Sequence, residues 1–402
     1  MVQKSSLHVL VYGMLALVLS ISCTSPYEFE EETNEDILIV DGMITNQLKK
    51  HQIHLSRSYP FETDPLPEKG ATVEVVSSNG TTYSFIEKGD FLYEAAMAFR
   101  AIEGQEYRVL ITTREGKTVT STPMELPPTA ELEEVFAQAT LNELDDPGIG
   151  IYLNAESNNN AQLYRIEYEE TYKVVAPRWT PYDAVVVFEG FSTFATNVIL
   201  RETQEQVCYA YNPSNKIMLR STTNQTIDRI DQEEVLFLPI DSAKLIHRYS
   251  VLVRLLVEDP QAYNYFETLK ELSVKSSNFF NNVQPGYLAG NLFNPDNGNE
   301  KVGGFFRVSA AAERRIFLNL NDIYPAAEEP PYFYLCSLTA PTAQGGRGDR
   351  DLLNAIYNGS LRYYSLNNTG EFPGGGPYLM VSAACGDCTV LGSNQQPSFW
   401  VP

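Results

Sequence analysis

Apolar and polar residues alternate with a period of two in several short segments between residues 37 and 126. In residues 71–75 (Ala-Thr-Val-Glu-Val) every second side chain falls on one face of an extended strand. Asn79-Gly80 separates this segment from residues 82–85, and Asn-Gly is a preferred sequence for a two-residue hairpin turn. About seven such strands fit into this stretch, which predicts an immunoglobulin- or transthyretin-like β-sandwich over residues 37–126.

A second, larger β-rich region is predicted over residues 129–402, beyond the strand-breaking pair Pro127-Pro128. Residues 149–153 and 163–168 have the composition of two strands that pair around an asparagine-rich turn. Residues 322–378 are rich in Pro, Gly and Asn, which predicts long loops. We therefore expect the chain as a whole to be mainly β.

One segment has a helical period instead. Asp259 is a favourable N-cap, and Pro260 is a favourable first residue of a helix. Apolar residues then recur at spacings of three and four and form a single stripe, so a helix is predicted near residues 260–274. A stripe of this kind favours docking on the sheet over binding to a partner helix.

The first 22 residues resemble a bacterial signal peptide. Lys4 supplies a positive charge, and residues 9–21 form an apolar run that is too short to span about 30 Å of hydrocarbon. Ser20-Ile21-Ser22-Cys23 resembles a lipobox, in which small residues precede a cysteine that becomes acylated. We therefore expect residues 1–22 to be removed and Cys23 to carry a lipid anchor in the membrane.

Residues 23–36 contain many acidic residues and few large apolar ones, which is the composition of a solvated tether. Acidic residues behind a lipidated cysteine resemble the signal that exports lipoproteins to the bacterial cell surface. The expected location is therefore the outer membrane with the protein on the cell surface, and a periplasm-facing orientation is the alternative.

The charge balance excludes one class of partner. The chain has 29 Lys and Arg against 51 Asp and Glu, which gives a formal net charge of −22. Because phosphate binding requires clustered cations, this balance argues against a nucleic-acid partner. Hydrophobic residues make up 43% of the chain, so wholesale disorder is also excluded.

The sequence predicts no catalytic site, no metal site and no cofactor. His51 and His54 are three residues apart and would point to opposite faces of a strand, and His247 lies in an apolar strand. Phosphate-binding, dinucleotide-binding and zinc-protease motifs are not found in the sequence. The acidic cluster at residues 167–170 is interpreted as a strand surface that is solvated or paired with arginine.

Four cysteines remain besides Cys23. An exported protein meets an oxidising compartment, so disulfide bonds are predicted. Four cysteines allow three pairings, which the sequence does not distinguish, and zinc binding or redox activity at the single Cys-x-x-Cys is the alternative. The candidates are Cys208, Cys336, Cys385 and Cys388.

The order of several motifs resembles one family of Bacteroidota lipoproteins. These motifs are Val40-Asp41-Gly42, Ile44-Thr45-Asn46, Leu55-Ser56-Arg57-Ser58, Tyr164-Arg165, Glu167-Tyr168, Cys385-x-x-Cys388 and the terminal Phe399-Trp400. The family is catalogued as domain of unknown function 4249 (DUF4249), and the resemblance covers nearly the whole mature chain. It implies a role beside a TonB-dependent receptor of the outer membrane.

We therefore expect a non-enzymatic outer-membrane lipoprotein that is an accessory or ligand-binding partner of a TonB-dependent receptor. The alternative is a surface lipoprotein that binds a glycan or peptide by itself. Aromatic residues at 178–182 and 332–334 would then provide stacking surfaces, unless they simply pack within their loops. A hydrolase that uses carboxylates of the long loops is a third hypothesis.

Replacing Cys23 with Ser is expected to move the protein from the membrane fraction to the soluble envelope fraction, because serine cannot form the thioether to the lipid. Cell fractionation and metabolic labelling with an acyl-chain analogue measure the two effects. Membrane retention of the Cys23→Ser variant, with no label in the parent protein, would contradict the lipid anchor.

Overall fold

The computed structural model describes residues 37–57, 66–157, 161–188, 194–276, 288–342, 351–368 and 375–401. The predicted signal peptide, Cys23 and the acidic tether lie outside these ranges. Strands contain 50% of the residues and helices 11%, which confirms the expectation of a mainly β fold. Within the described ranges no helix is both long enough and apolar enough to cross a membrane.

The N-terminal part of the fold consists of short strands that alternate buried and exposed side chains. In the strand β4 (Thr72–Ser77), for example, Val73 and Val75 are buried, while Thr72 is exposed. The strands are β1 (Leu38–Thr45), β2 (Gln52–Arg57), β3 (Leu66–Pro67), β4 (Thr72–Ser77), β5 (Thr82–Gly89), β6 (Leu92–Ala95), β7 (Glu106–Thr112), β8 (Thr118–Ser121) and β9 (Met124–Glu125).

The predicted hairpin joins β4 to β5 in antiparallel pairing. Gly80 in its turn has φ of +87°, a left-handed conformation that glycine adopts without steric cost. The Asn-Gly signal therefore identified the turn correctly.

The rest of the chain adds thirteen strands and four α-helices among the described residues. The strands are β10 (Glu131–Leu141), β11 (Pro147–Glu156), β12 (Leu163–Val175), β13 (Tyr182–Phe188), β14 (Phe194–Leu200), β15 (Val207–Pro213), β16 (Met218–Ser221), β17 (Arg229–Pro239), β18 (Tyr249–Val257), β19 (Leu292–Phe293), β20 (Val302–Leu318), β21 (Leu361–Leu366) and β22 (Tyr378–Ser382). The helices are α1 (Pro260–Ser276), α2 (Leu320–Ile323), α3 (Asp351–Tyr357) and α4 (Ala383–Gly386), with 3₁₀ turns at Ala243–Leu245 and Cys388–Val390.

One long sheet connects the two predicted regions. Its strand order is β15-β12-β18-β20-β1-β2-β6-β5-β4-β7-β8-β19. The connection is the parallel pair β1–β20, in which Val40 lies opposite Gly304. Gly304 has φ of +91°, and a Cβ there would collide with the backbone of Val40, so only glycine fits this close approach.

The fold has two main cores, and Pro127-Pro128 lies between them in the sequence. Met124 belongs to the first core, Leu132 belongs to the second, and Leu126 packs against both. Several residues of the segment 292–308 also belong to the first core, because β19 and the start of β20 pair with N-terminal strands. The prolines therefore separate two cores that share one run of paired strands.

The predicted pairing of β11 with β12 is wrong. β11 lies between β10 and β17 in a separate three-stranded sheet, and β12 pairs with β15, β16 and β18. Ile149 and Ile151 of β11 and Tyr164 and Ile166 of β12 nevertheless belong to one core. The two strands therefore belong to different sheets that pack on the same core, and the polar–apolar alternation alone could not show this.

Residues 322–378 hold more regular structure than the predicted long loops. They contain α3 and β21, which pack with β13 and β22 around a small third core. Leu352 and Ile356 are four residues apart and contact this core from α3, beside Tyr363 of β21. The high content of Pro, Gly and Asn obscured these apolar spacings.

A buried ion cluster lies where β12, β18, β20 and β1 meet. The fully buried carboxylate of Glu258 accepts hydrogen bonds from Nε of Arg165 (2.9 Å) and from Oγ of Ser309 (2.5 Å). Arg307 lies 4.0 Å from the same carboxylate and pairs with Asp41 of β1 at 2.7 Å. Desolvation acts to lower the pKa of Arg307, but the nearby Asp41 and Glu258 carboxylates raise it, so the guanidinium stays charged.

Helix α1 occupies the predicted position and docks on this cluster. Its buried residues include Ala262 and Phe266. The ring of Phe266 faces two guanidinium groups, with its centroid 4.2 Å from Cζ of Arg165 and 5.0 Å from Cζ of Arg307. The apolar stripe of the helix thus covers the arginines and holds them in an environment of low polarity.

Replacing Glu258 with Gln is expected to destabilise the protein by about 3–5 kcal/mol, because Arg165 and Arg307 would lose the buried carboxylate that they share and keep only Glu167 and Asp41 as partners. The matched control is Glu313→Gln on β20, whose half-exposed ion pair with Arg254 contributes at most about 1 kcal/mol. Urea-unfolding midpoints measure both effects. Equal decreases of the unfolding midpoint in the two variants would contradict a larger contribution of the buried cluster to stability.

Candidate functional site

The four candidate cysteines form two disulfide pairs. Cys208 on β15 pairs with Cys388, and Cys336 pairs with Cys385 of α4, each with Cα atoms 5.6 Å apart. The two cysteines of the Cys-x-x-Cys segment therefore bond to different partners and not to each other. This arrangement is structural, since each bond ties the C-terminal segment to a separate part of the fold.

His51 and His54 lie as the strand pattern predicts, whereas the prediction that His247 lies in a strand is wrong, because it lies in a bend two residues before β18 begins at Tyr249. His51 is buried and His54 is exposed, on opposite faces of the same extended segment. Burial lowers the pKa of His51 to about 4, and Nε2 of its ring lies 3.0 Å from the carbonyl oxygen of Phe99. Within the described part of the chain, His, Cys, Asp and Glu side chains form no group of three that could hold a metal ion.

The acidic cluster on β12 is paired with basic residues. Glu167 and Glu169 share one face of the strand, and Glu170 lies on the other. Glu170 also accepts a hydrogen bond from the Tyr249 hydroxyl at 2.7 Å. The ion pairs are Arg165–Glu167 (2.9 Å), Arg254–Glu169 (2.5 Å) and Lys244–Glu170 (2.7 Å).

The two aromatic loops contribute both buried and exposed rings. Trp179 and Phe333 pack against the second core, where Phe333 stacks on Tyr172 with centroids 5.8 Å apart. Tyr182 and Tyr334 keep 49% and 52% of their surface exposed. Part of each loop therefore packs internally, and one tyrosine of each faces solvent.

Both aromatic loops are fixed to the disulfide-bonded helix α4. The backbone N–H of Arg178 donates to the carbonyl of Cys385 at 2.9 Å, and the hydroxyl of Tyr332 donates to the carbonyl of Ala384 at 2.8 Å. Burial raises the pKa of Tyr332 to about 12, so this hydroxyl keeps its proton. The disulfides thus fix the C-terminal segment to which both aromatic loops are hydrogen-bonded.

A cleft of about 660 Å³ lies at the junction of the two cores. One wall is formed by apolar residues at and after β9, and the other by the end of β18 and the start of α1. The lining residues are Glu106, Pro123, Met124, Glu125, Leu126, Pro127, Pro128, Ala161, Gln162, Leu163, Thr223, Val257, Glu258, Asp259, Pro260 and Gln261. This volume and the mixture of apolar walls with a few polar groups are typical of small ligand sites.

Two carboxylates of the cleft face each other across a strand pair. Glu106 of β7 lies directly opposite Glu125 of β9 in an antiparallel ladder, so both side chains point to the same face. Like charges in this position destabilise a sheet. Neither carboxylate forms an ion pair with another described residue, and the cleft is lined by no Lys, Arg or His.

Asp259 brings a third carboxylate to the lining of the cleft. Its Oδ1 caps α1 by accepting the backbone N–H groups of Gln261 (2.5 Å) and Ala262 (3.0 Å). Its Oδ2 is buried and has no hydrogen-bond partner among the described residues. Desolvation raises the pKa of Asp259, and the charge of Glu258 adds to this effect, against the opposing effect of the two N–H groups.

No pattern in the sequence predicts this cleft. Asp259 is predicted only as a helix cap and Pro127-Pro128 only as a boundary, and neither Glu106 nor Glu125 belongs to a predicted site. A boundary between two cores is itself a signal, because ligand sites often form there. The pairing that brings the two glutamates together involves β9, a strand of two residues that leaves no periodic pattern.

The fold and the cleft define a β-rich protein with a ligand-sized site between two cores. A family model described as domain of unknown function (DUF4249) matches residues 24–315, and the chain belongs to this family. All lining residues of the cleft lie within the matched range. The comparison with curated proteins found no match.

Peptide mapping of the Cys23→Ser variant, kept unreduced, is expected to find the cross-linked pairs Cys208–Cys388 and Cys336–Cys385 and no free thiol, because all four sulfurs are bonded. Alkylation under denaturing conditions before digestion prevents exchange between the bonds. A Cys385–Cys388 bond, or four alkylated cysteines, would contradict this connectivity.

Proposed function

We propose that the protein is a non-enzymatic lipoprotein of the outer membrane that acts as an accessory or ligand-binding partner of a TonB-dependent receptor. The cleft between the two cores is the observation that carries this proposal, because it combines apolar walls with two facing carboxylates, Glu106 and Glu125, that form no ion pair with a described residue. The membrane location rests on the signal-like residues 1–22 and on Cys23. The partnership with a receptor is inferred from the resemblance to lipoproteins that accompany such receptors.

The pairing of the β12 carboxylates supports binding over hydrolysis. Glu167, Glu169 and Glu170 are the cluster that the sequence offers for acid–base chemistry, and each is held by an arginine or a lysine. A carboxylate that is held by a basic side chain of the same protein is not positioned to exchange a proton with a substrate. The pairs of Glu169 and Glu170 join β12 to β18 and to the 3₁₀ turn at Ala243–Leu245, while the pair Arg165–Glu167 lies within β12.

The proposed tether brings the cleft close to any membrane partner. A tether of 13 residues, the length of the segment 23–35, spans ~20 Å as a random coil. Confinement within this distance raises the effective concentration of a partner in the same membrane, so that modest contacts suffice. An accessory role therefore does not require a large permanent interface.

A second candidate function is that of a surface lipoprotein that binds a glycan or a peptide by itself. The exposed rings of Tyr182 and Tyr334 favour it, because exposed tyrosines stack on sugar rings and peptide side chains. In this case binding is expected in the purified protein without a receptor, and it should weaken when either tyrosine is replaced by Ala.

A photo-crosslinking residue at Gln261, on the rim of the cleft, is expected to capture an outer-membrane receptor in intact cells, because a bound partner would lie within its reach. The matched control carries the same residue at Glu143, an exposed position outside the cleft lining. Mass spectrometry identifies the captured proteins. Equal capture at both positions, or turnover of a glycan or peptide panel by the purified protein, would contradict the proposal.

A further inference from the structure

We propose that the cleft binds a basic peptide segment, in which a lysine or arginine enters between Glu106, Glu125 and Asp259 and adjacent apolar residues pack on the proline wall. This inference names the ligand class of the site described above and rests on the proposed binding function. It is drawn from the charge, the hydrogen-bonding state and the shape of the cleft.

The charge of the cleft is complementary to a cation. Glu106 and Glu125 repel each other across the β7–β9 pair, and no basic residue of the lining compensates them. A cationic side chain placed between them replaces this repulsion with two attractive interactions. The net charge of −22 also attracts a basic ligand over a longer range, which accelerates association at low salt.

Asp259 adds a third negative charge at the start of α1. Its Oδ2 atom is buried and has no hydrogen-bond partner among the described residues, so this carboxylate attracts a cationic side chain in the cleft through its charge. The other oxygen stays on the N–H groups of α1, so the carboxylate is held in place before a ligand arrives.

The opposite wall suits the aliphatic part of a basic side chain. Pro123, Met124, Leu126, Pro127 and Pro128 form an apolar surface next to Glu125. Lysine and arginine pack their methylene groups on apolar surfaces while their charged ends reach polar groups. A neighbouring leucine or valine of the same segment would add further contact, which favours a peptide over a small free amine.

The direct test measures binding of a fluorescein-labelled peptide of alternating leucine and lysine to the full lipidated protein in detergent micelles. The matched probe is the same peptide with every lysine acetylated, which keeps the length and removes the charge. We expect the lysine peptide to bind at least tenfold more tightly than the acetylated peptide. Its affinity should fall as salt is added, because salt screens the partly exposed carboxylates.

Two charge-neutral variants test the carboxylates without unfolding the protein. Asparagine caps helices as well as aspartate does, so Asp259→Asn keeps the start of α1. Glu125→Gln removes the repulsion with Glu106 and should leave the urea-unfolding midpoint unchanged or raise it. Each variant is expected to weaken binding of the lysine peptide at least tenfold, whereas Glu143→Gln, which removes one charge outside the cleft, should not.

Several results would overturn the inference. These are equal binding of the lysine and acetylated peptides, unchanged affinity of the Glu125→Gln variant, or tighter binding of spermidine than of the lysine peptide. Receptor capture through Gln261 without binding of the lysine peptide would overturn the ligand class and leave the proposed function standing. Peptide binding without receptor capture would leave the ligand class standing and overturn the receptor partnership.

Discussion

The fully buried carboxylate of Glu258 is the constraint on which the rest of the fold depends. Two guanidinium groups, those of Arg165 and Arg307, are buried beside it, and burying such charges costs several kcal/mol unless they are paired. The pairs form only when β12, β18 and β20 are in register. Through Asp41 the same cluster reaches β1, so a contact between residues 266 positions apart in sequence joins the two halves of the sheet.

The cleft is a direct consequence of this arrangement. Asp259 follows Glu258 in the chain, so the residue that caps α1 is positioned by the cluster beneath it. The first core contributes Glu106 and Glu125 from the other side. Glu258 of the cluster is paired with arginine, while Glu106 and Glu125 of the cleft form no ion pair with a described residue. This difference separates the structural cluster from the site that we propose for a ligand.

Local sequence patterns predicted individual strands and the helix α1, whereas the order of the strands and the disulfide pairs depend on contacts between distant residues. The period-two alternation at residues 72–77 and the capped stripe of α1 depend on near neighbours, and both are present in the structure. The parallel β1–β20 pair and the disulfide connectivity join residues far apart in sequence, which no local pattern encodes. For the same reason the facing pair Glu106–Glu125 was not predicted, although each residue was visible in the sequence.

Native-state hydrogen exchange in increasing urea tests the central claim, which is that the cluster and the β1–β20 pair make the two cores one cooperative unit. The amides of Val40 in the first core and Ile166 in the second report on the two sides. The account predicts that both amides exchange with the same opening free energy and the same dependence on urea. Opening of one core at a free energy well below that of the other would contradict it.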